Sequence, residues 1–124
     1  MNESSRRVLV VEDAEDISSM MVELLADEGF DVASAPSGRE ALAHLRSGQA
    51  VPGLILLDLM MPDMDGYEFR AEQKKDPKLA EIPVLLMTAA ADPHAKVAEL
   101  GVQGLLKKPF KDIDSIVHAI NRFF

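Results

Sequence analysis

The sequence predicts an α/β domain built on a parallel sheet, and two patterns carry that reading. Short aliphatic or β-branched runs alternate with amphipathic stretches along the chain, as in repeated βαβ units. The runs themselves are apolar without alternation, as expected of strands covered by helices on both faces. A third observation locates the interesting edge. Leu54-Ile55-Leu56-Leu57 closes on Asp58, which puts a carboxylate at the C-terminal end of a buried strand, where open α/β sheets hold their ligands.

Five strands are expected, over Val8–Val11, Val32–Ala35, Leu54–Leu57, Val84–Met87 and Gly104–Leu106. The first helix runs from about Glu15 to Glu28, because Ile17, Met20, Met21, Leu24 and Leu25 repeat at helical spacing and Gly29 supplies a left-handed stop. Phe30 then starts the next strand. Helix two follows the turn Pro36-Ser37-Gly38, turns Ala41, Leu42 and Leu45 inward, and ends near Gly48. Helix three covers roughly Gly66 to Lys75, ahead of the Asp76-Pro77 break. Helix four starts with Asp92 as N-cap and Pro93 at the first helical position. Helix five, Ile113 to Phe123, is expected to bury Ile113, Ile116, Val117 and Ile120.

Composition narrows the function classes. A chain of 124 residues with 48% hydrophobic content has room for one core. The formal charge of -8, with no Lys or Arg run longer than two, disfavours direct nucleic-acid binding. The absence of cysteine excludes disulfides, thiolate metal sites and cysteine nucleophiles. Met1 to Arg7 is polar and is followed by only four apolar residues, so neither a signal peptide nor a membrane span is expected. The expectation is a soluble, cytoplasmic domain over 1–124, with its core at about 7–123 and a polar extension over 1–6.

Glu12 and Asp13 directly follow the first strand, so a parallel sheet brings them out at the same edge as Asp58. Three converging carboxylates repel one another unless a hard divalent cation binds, and such oxygen ligands suit Mg2+ or Mn2+. Taken singly, Glu12-Asp13 also reads as a solvated helix start and Asp58 as a turn former. Thr88 ends the fourth strand and Lys108 ends the fifth, at the same edge. Alone, each is commonplace, as a helix-capping hydroxyl and a loop lysine. Together they supply what phosphoryl transfer requires, charge stabilisation around the equatorial oxygens. Asp58 is then the candidate nucleophile, forming an acyl phosphate.

The chain resembles the response-regulator receiver domain, the CheY-like family of two-component signalling. The resemblance is carried over nearly the whole chain by Val10-Val11-Glu12-Asp13, by Leu57-Asp58-Leu59-Met60-Met61-Pro62-Asp63-Met64-Asp65-Gly66, by Met87-Thr88-Ala89 and by Lys107-Lys108-Pro109-Phe110. It implies a flavodoxin-like, doubly wound five-stranded parallel sheet of order 2-1-3-4-5 with five helices. It implies Asp58 as phosphoacceptor, Asp13 as direct Mg2+ ligand, Glu12 as a second acidic ligand through water, and the Met60 carbonyl as a further ligand. Lys108 would pair with Asp58 or its phosphoryl group, and Thr88 would close on the phosphoryl oxygens as the switch. A cis peptide before Pro109 is implied as well. Lys107, not followed by proline, is assigned to the surface.

Two positions depart from the family pattern. The aromatic residue usual three positions before the lysine is here Leu105. It is either a plain core leucine or a sign of weaker or rerouted coupling across helix four, strand five and helix five. Met60 and Ala90 flank the path of water to an acyl phosphate, and neither side chain can orient an attacking water, which implies slow self-dephosphorylation.

Other features carry less. His44, His94 and His118 lack metal-ligand spacing. Met20-Met21 and Met60-Met61 offer adaptable contact surface or core filling, and Phe123-Phe124 packs beneath helix five or marks a dimer contact. A phosphatase of the haloacid-dehalogenase type requires a second acid where Met60 stands, and a flavin-binding flavodoxin would place phosphate against Glu12-Asp13. The expected protein is therefore not an enzyme in the ordinary sense. It is a stand-alone receiver that takes a phosphoryl group from a sensor histidine kinase or histidine phosphotransfer protein and then switches binding to a downstream protein effector. Neither nucleic acid nor membrane is an expected direct partner, and the state is a monomer or a phosphorylation-dependent dimer. Family analogy assigns donor docking to Ile17, Met21, Pro109 and Phe110. The rival reading is a receiver-fold interaction module that works independently of phosphorylation, supported by Leu105.

Overall fold

The computed structural model describes residues 6–48, 51–110 and 112–124. Of the polar extension expected over 1–6, all but Arg6 lies outside the described residues. Strands and helices alternate strictly: β1 Arg7–Val11, α1 Glu15–Asp27, β2 Asp31–Ala35, α2 Gly38–Arg46, β3 Leu54–Asp58, α3 Gly66–Lys75, β4 Val84–Thr88, α4 Pro93–Leu100, β5 Gly104–Lys107 and α5 Ile113–Asn121. All strand pairs are parallel, in the order β2-β1-β3-β4-β5. This is the doubly wound order implied by the resemblance.

The helices divide between the faces as the strand residues alternate. Leu9 and Val11 of β1 lie in one core with Ala41, Leu42 and Leu45 of α2, Phe69 of α3 and Leu100 of α4. Val8 and Val10 lie in the other with Met21 and Leu25 of α1 and Ile116 and Ile120 of α5. β3 and β4 are buried throughout, as apolar runs covered on both sides must be. β2 is only partly buried, because as an edge strand it is covered less completely.

Caps follow the local chemistry. Ser37 Oγ accepts from Glu40 N at 3.1 Å, Asp92 Oδ1 from Ala95 N at 3.3 Å, and Asp112 Oδ1 from Ser115 N at 2.7 Å. Asp65 and Glu68 form a reciprocal capping box at α3. α1 stops where Gly29 takes φ +93°. Ile113, expected to be buried, is 56% exposed. It opens α5 one turn before Ile116 and Ile120, which carry the buried stripe alongside Leu106 of β5. Val117 is half-buried, and α5 ends at Asn121, two residues before the expected limit.

α3 and α4 are joined by a buried polar network that the hydrophobic periodicity does not reveal. The Arg70 guanidinium, 6% exposed, donates to Leu100 O at 3.1 Å, Gly101 O at 2.7 Å and Gln73 Oε1 at 2.8 Å. Gln73 Nε2 in turn donates to Leu79 O at 2.9 Å and Ile82 O at 3.0 Å. A cation at the carbonyl end of α4 is also favoured by the helix dipole. Arg70→Ala should therefore cost about 3 kcal/mol in urea denaturation, since it leaves buried acceptors unpaired. Arg70→Lys should recover little of this, because an ammonium lacks the planar fork that reaches all three oxygens.

Candidate functional site

Parallel pairing puts the C-terminal ends of β1, β3, β4 and β5 at one edge. Asp58 is the last residue of β3 and pairs with Met87, while Thr88 ends β4 opposite Lys107. Glu12 continues from β1, with its N–H donating to Ala35 O at 3.1 Å. Lys108 continues from β5, with its N–H donating to Thr88 O at 2.9 Å. The Lys108-Pro109 peptide is cis.

The side chains meet there. Lys108 Nζ lies 2.8 Å from Glu12 Oε1 and 3.3 Å from Asp58 Oδ1. Glu12 and Asp58 are buried, Asp58 to 5% exposure, and Asp13 is exposed. One carboxylate oxygen from each of Glu12, Asp13 and Asp58 can lie within 4.8 Å of the others. The second Glu12 oxygen accepts from Ala14 N at 3.2 Å. Burial, followed by the charge and hydrogen bonding of Glu12, pushes the Asp58 carboxyl up to about 7, and Lys108 offsets only part of this. For Lys108, burial lowers the pKa, but the hydrogen bond to Glu12 and the charges of Asp58 and Glu12 outweigh it and the net shift is upward. The ammonium thus stays charged beside the carboxyl oxygens. Such a set of oxygen donors fits a hard divalent cation.

The turn after Asp58 is held by close contacts. Gly66 N donates to Leu59 O at 2.8 Å, and a Cβ at Gly66 would come within 2.9 Å of Leu59 Cα and 3.0 Å of Asp58 O. Only glycine lets α3 start so close to the β3 terminus. Asp63 takes φ +70°, and its carboxylate accepts from Arg39 Nε at 2.9 Å and Nη2 at 3.3 Å. Met60, by contrast, is 74% exposed and stands at the mouth of an open cleft of about 520 Å³ that contains Glu12, Asp13, Asp58, Thr88 and Lys108.

The remaining expected residues are placed as follows. Thr88 is buried, and its Oγ1 accepts from Ala90 N at 3.0 Å. Leu105 is half-buried against the core on the α4 side. Lys107 is exposed. Among the docking candidates, Ile17 is half-buried, Pro109 exposed and Phe110 half-buried. Met21 needs correction, because it is fully buried in the α1–α5 core and has no surface to offer a partner. Its helical spacing with Leu25 indicates this inward position. Pro109 and Phe110 line a second cleft, of about 530 Å³, with Lys108, Ile116 and Ala119. Phe124 packs on Phe30 with ring centroids 5.5 Å apart, and the Arg6 guanidinium lies 4.2 Å from the Phe30 centroid. His44, His94 and His118 lie on α2, α4 and α5.

Tyr67 and Lys96 also line the cleft with Asp58, and sequence reasoning missed both. Tyr67 is only the second residue of α3 and Lys96 lies in an alanine-rich helix, so no local pattern marks them.

The fold and site together define a doubly wound domain with a lysine-bridged acidic cleft at its strand termini. The chain belongs to the response regulator receiver domain family, whose model matches residues 8–121. It is 36% identical over 122 residues, 95% of this chain, to the alkaline phosphatase synthesis transcriptional regulatory protein PhoP of Bacillus subtilis (strain 168), of which it covers 49%. It is 37% identical over 123 residues, 96% of this chain, to the response regulator PleD of Caulobacter vibrioides, of which it covers 27%. The chain therefore spans about half the length, or less, of these curated relatives. Its structure is similar to that of the Vibrio cholerae chemotaxis protein CheY4, with a TM-score of 0.85 and 31% identity over 95% of this chain and 98% of that one. It is a CheY-like receiver of two-component signalling. Among the described residues, no helix is long and apolar enough to cross a membrane.

The raised Asp58 pKa has a defined consequence for stability. A carboxyl whose folded value lies above its unfolded value disfavours folding once ionised. The penalty is absent below about pH 4, develops as pH rises towards about 7, and is full above that. Without divalent cations, Asp58→Asn should raise the melting temperature by several degrees at pH 8 and by little at pH 4, as read by thermal denaturation.

Proposed function

We propose that the chain accepts a phosphoryl group on Asp58 from a phosphohistidine in a sensor kinase or histidine phosphotransfer protein, and that the acyl phosphate changes its affinity for a downstream protein. The observation that carries this reading is the Lys108 ammonium bridging buried Glu12 and Asp58 at the edge of an open cleft. In the reaction, an Asp58 carboxylate oxygen attacks phosphorus. The O–P bond forms as the P–N bond breaks, and the bond's electron pair stays on the imidazole nitrogen. Lys108 donates to the phosphoryl oxygens, where the negative charge is concentrated. The Thr88 hydroxyl, which accepts from Ala90 N, retains its own proton to donate and closes on the same oxygens as the switch. Glu12, Asp13, Asp58 and the Met60 carbonyl are the residues that would hold Mg2+ or Mn2+. When bound, the cation neutralises the charge of the acidic cluster and of the incoming phosphoryl group.

Donor docking fits Pro109 and Phe110, since their apolar cleft also includes Lys108, and Ile17 of α1 is assigned to it by family analogy. We read residues 7–123 as the core of one receiver domain, acting in the cytoplasm as a monomer or a phosphorylation-dependent dimer. Leu105 changes how Thr88 movement reaches α4, β5 and α5, because a leucine cannot swing a ring into the space.

The deciding experiment is intact-protein mass after incubation with phosphoramidate and Mg2+. A gain of one phosphoryl group is expected, and it should be lost in Asp58→Asn and without the metal. No gain, under conditions that modify another receiver and with a kinase donor as well, would favour an interaction module that works without phosphorylation. Millimolar Mg2+ should also raise the melting temperature, because the carboxylates converge only in the folded state, and Asp13→Ala should remove most of that rise. Met60→Asn should shorten the phosphoryl lifetime, measured by decay of the mass shift, because an amide can orient the attacking water.

A further inference from the structure

Lys108 is joined at the cleft by a second cation. Lys96, on the second turn of α4, lines the cleft with Asp58 and Thr88, and its side chain is 35% exposed. Its present partners hold it loosely. Lys96 Nζ lies 3.9 Å from Glu99 Oε1 and 5.5 Å from the Tyr67 ring centroid. The Tyr67 hydroxyl donates to the same Glu99 oxygen at 3.4 Å. These are long contacts, and the Glu99 side chain is 59% exposed, where solvent weakens an ion pair. Tyr67 belongs to α3 and Lys96 to α4, so the trio spans two helices that each contribute a lining residue to the cleft.

We propose that Lys96 is a phosphoryl-recognising residue that leaves Glu99 and Tyr67 to bind the oxygens of a phosphoryl group on Asp58. The inference rests on Asp58 being the phosphoacceptor. An acyl phosphate adds charge and strong acceptor oxygens to a cleft whose Lys108 is already shared between two carboxylates. A lysine offers three donors and no acceptor, so Lys96 can pair with those oxygens but cannot serve as a base for water. Lys96 thus lengthens the life of the acyl phosphate. By exchanging a partner on its own helix for one on β3, it also ties α4 to the phosphorylation state. The geometry gives this chain a link to α4 that does not pass through Leu105.

The test uses the whole chain, phosphoramidate and Mg2+, with the decay of the mass shift followed after the donor is removed. Lys96→Met keeps the apolar stem and removes the charge, and should shorten the phosphoryl half-life about five- to tenfold, the scale of a lost charge-assisted hydrogen bond. Lys96→Arg should restore most of it. Glu99→Gln releases Lys96 from its resting partner and should leave the half-life equal or longer. A purely structural role of the Lys96–Glu99 pair predicts instead that Glu99→Gln shortens the half-life just as Lys96→Met does, and that result would overturn the proposal. The chain has one tyrosine and no tryptophan, so emission from Tyr67 provides a second readout. It should change on phosphorylation of the unmutated protein, and that change should fall by at least half in Lys96→Met. A normal mass gain with an unchanged half-life in Lys96→Met overturns the role of Lys96 alone. Absence of mass gain in the unmutated protein overturns the phosphoacceptor reading and this inference with it.

Discussion

The Lys108 bridge between Glu12 and Asp58 is the interaction on which the site depends. Burial of the Asp58 carboxyl, and after it the repulsion from buried Glu12 at the same end of the sheet, raise the Asp58 pKa. One ammonium, 2.8 Å from Glu12 and 3.3 Å from Asp58, makes their proximity tolerable. Those three groups come from chain positions nearly a hundred residues apart, so they meet only if β1, β3 and β5 end at a common edge. Parallel pairing throughout, with β4 seated between β3 and β5, satisfies that requirement. One ammonium against three carboxyl groups leaves a set of oxygen donors whose chemistry fits a hard divalent cation.

Around this edge the structure trades ordinary backbone freedom for close approach. Gly66 brings α3 against the Asp58 carbonyl with no room for a Cβ, and Arg39 pins Asp63 in the left-handed region. α4 is held very differently at its two ends. Arg70 grips its last carbonyls from α3, within a buried and fully partnered network. Its first turn, nearer the cleft, has the Asp92 cap, and Lys96 reaches across to Tyr67.

Most of the architecture was legible because burial dictates pattern. Continuous apolar runs marked β1, β3 and β4, and Gly29, Pro93 and Asp92 marked helix ends through backbone geometry and capping chemistry. Local pattern fails where neighbours outweigh it. Every strand takes one more residue than its apolar run, because Arg7, Asp31, Asp58, Thr88 and Lys107 pair in the ladder whatever their polarity. Ile113 belongs to the right periodicity yet stays exposed, since α5 engages the core one turn later. Family analogy points Met21 at a docking surface, whereas its own spacing with Leu25 places it inside, where it is found.

Residue type and order alone determined the fold class and nominated Glu12, Asp13, Asp58, Thr88 and Lys108 as neighbours, because a parallel sheet makes the end of each strand an address at one edge. Only the tertiary structure decided how they share charge: one lysine bridging two buried carboxylates, with the third exposed. It also brought in Tyr67, Lys96, Arg70 and Gln73. Arg70 and Gln73 share the buried stripe of α3 with Gly66 and Phe69, but as polar residues they leave no hydrophobic pattern from which the contact with α4 could be read.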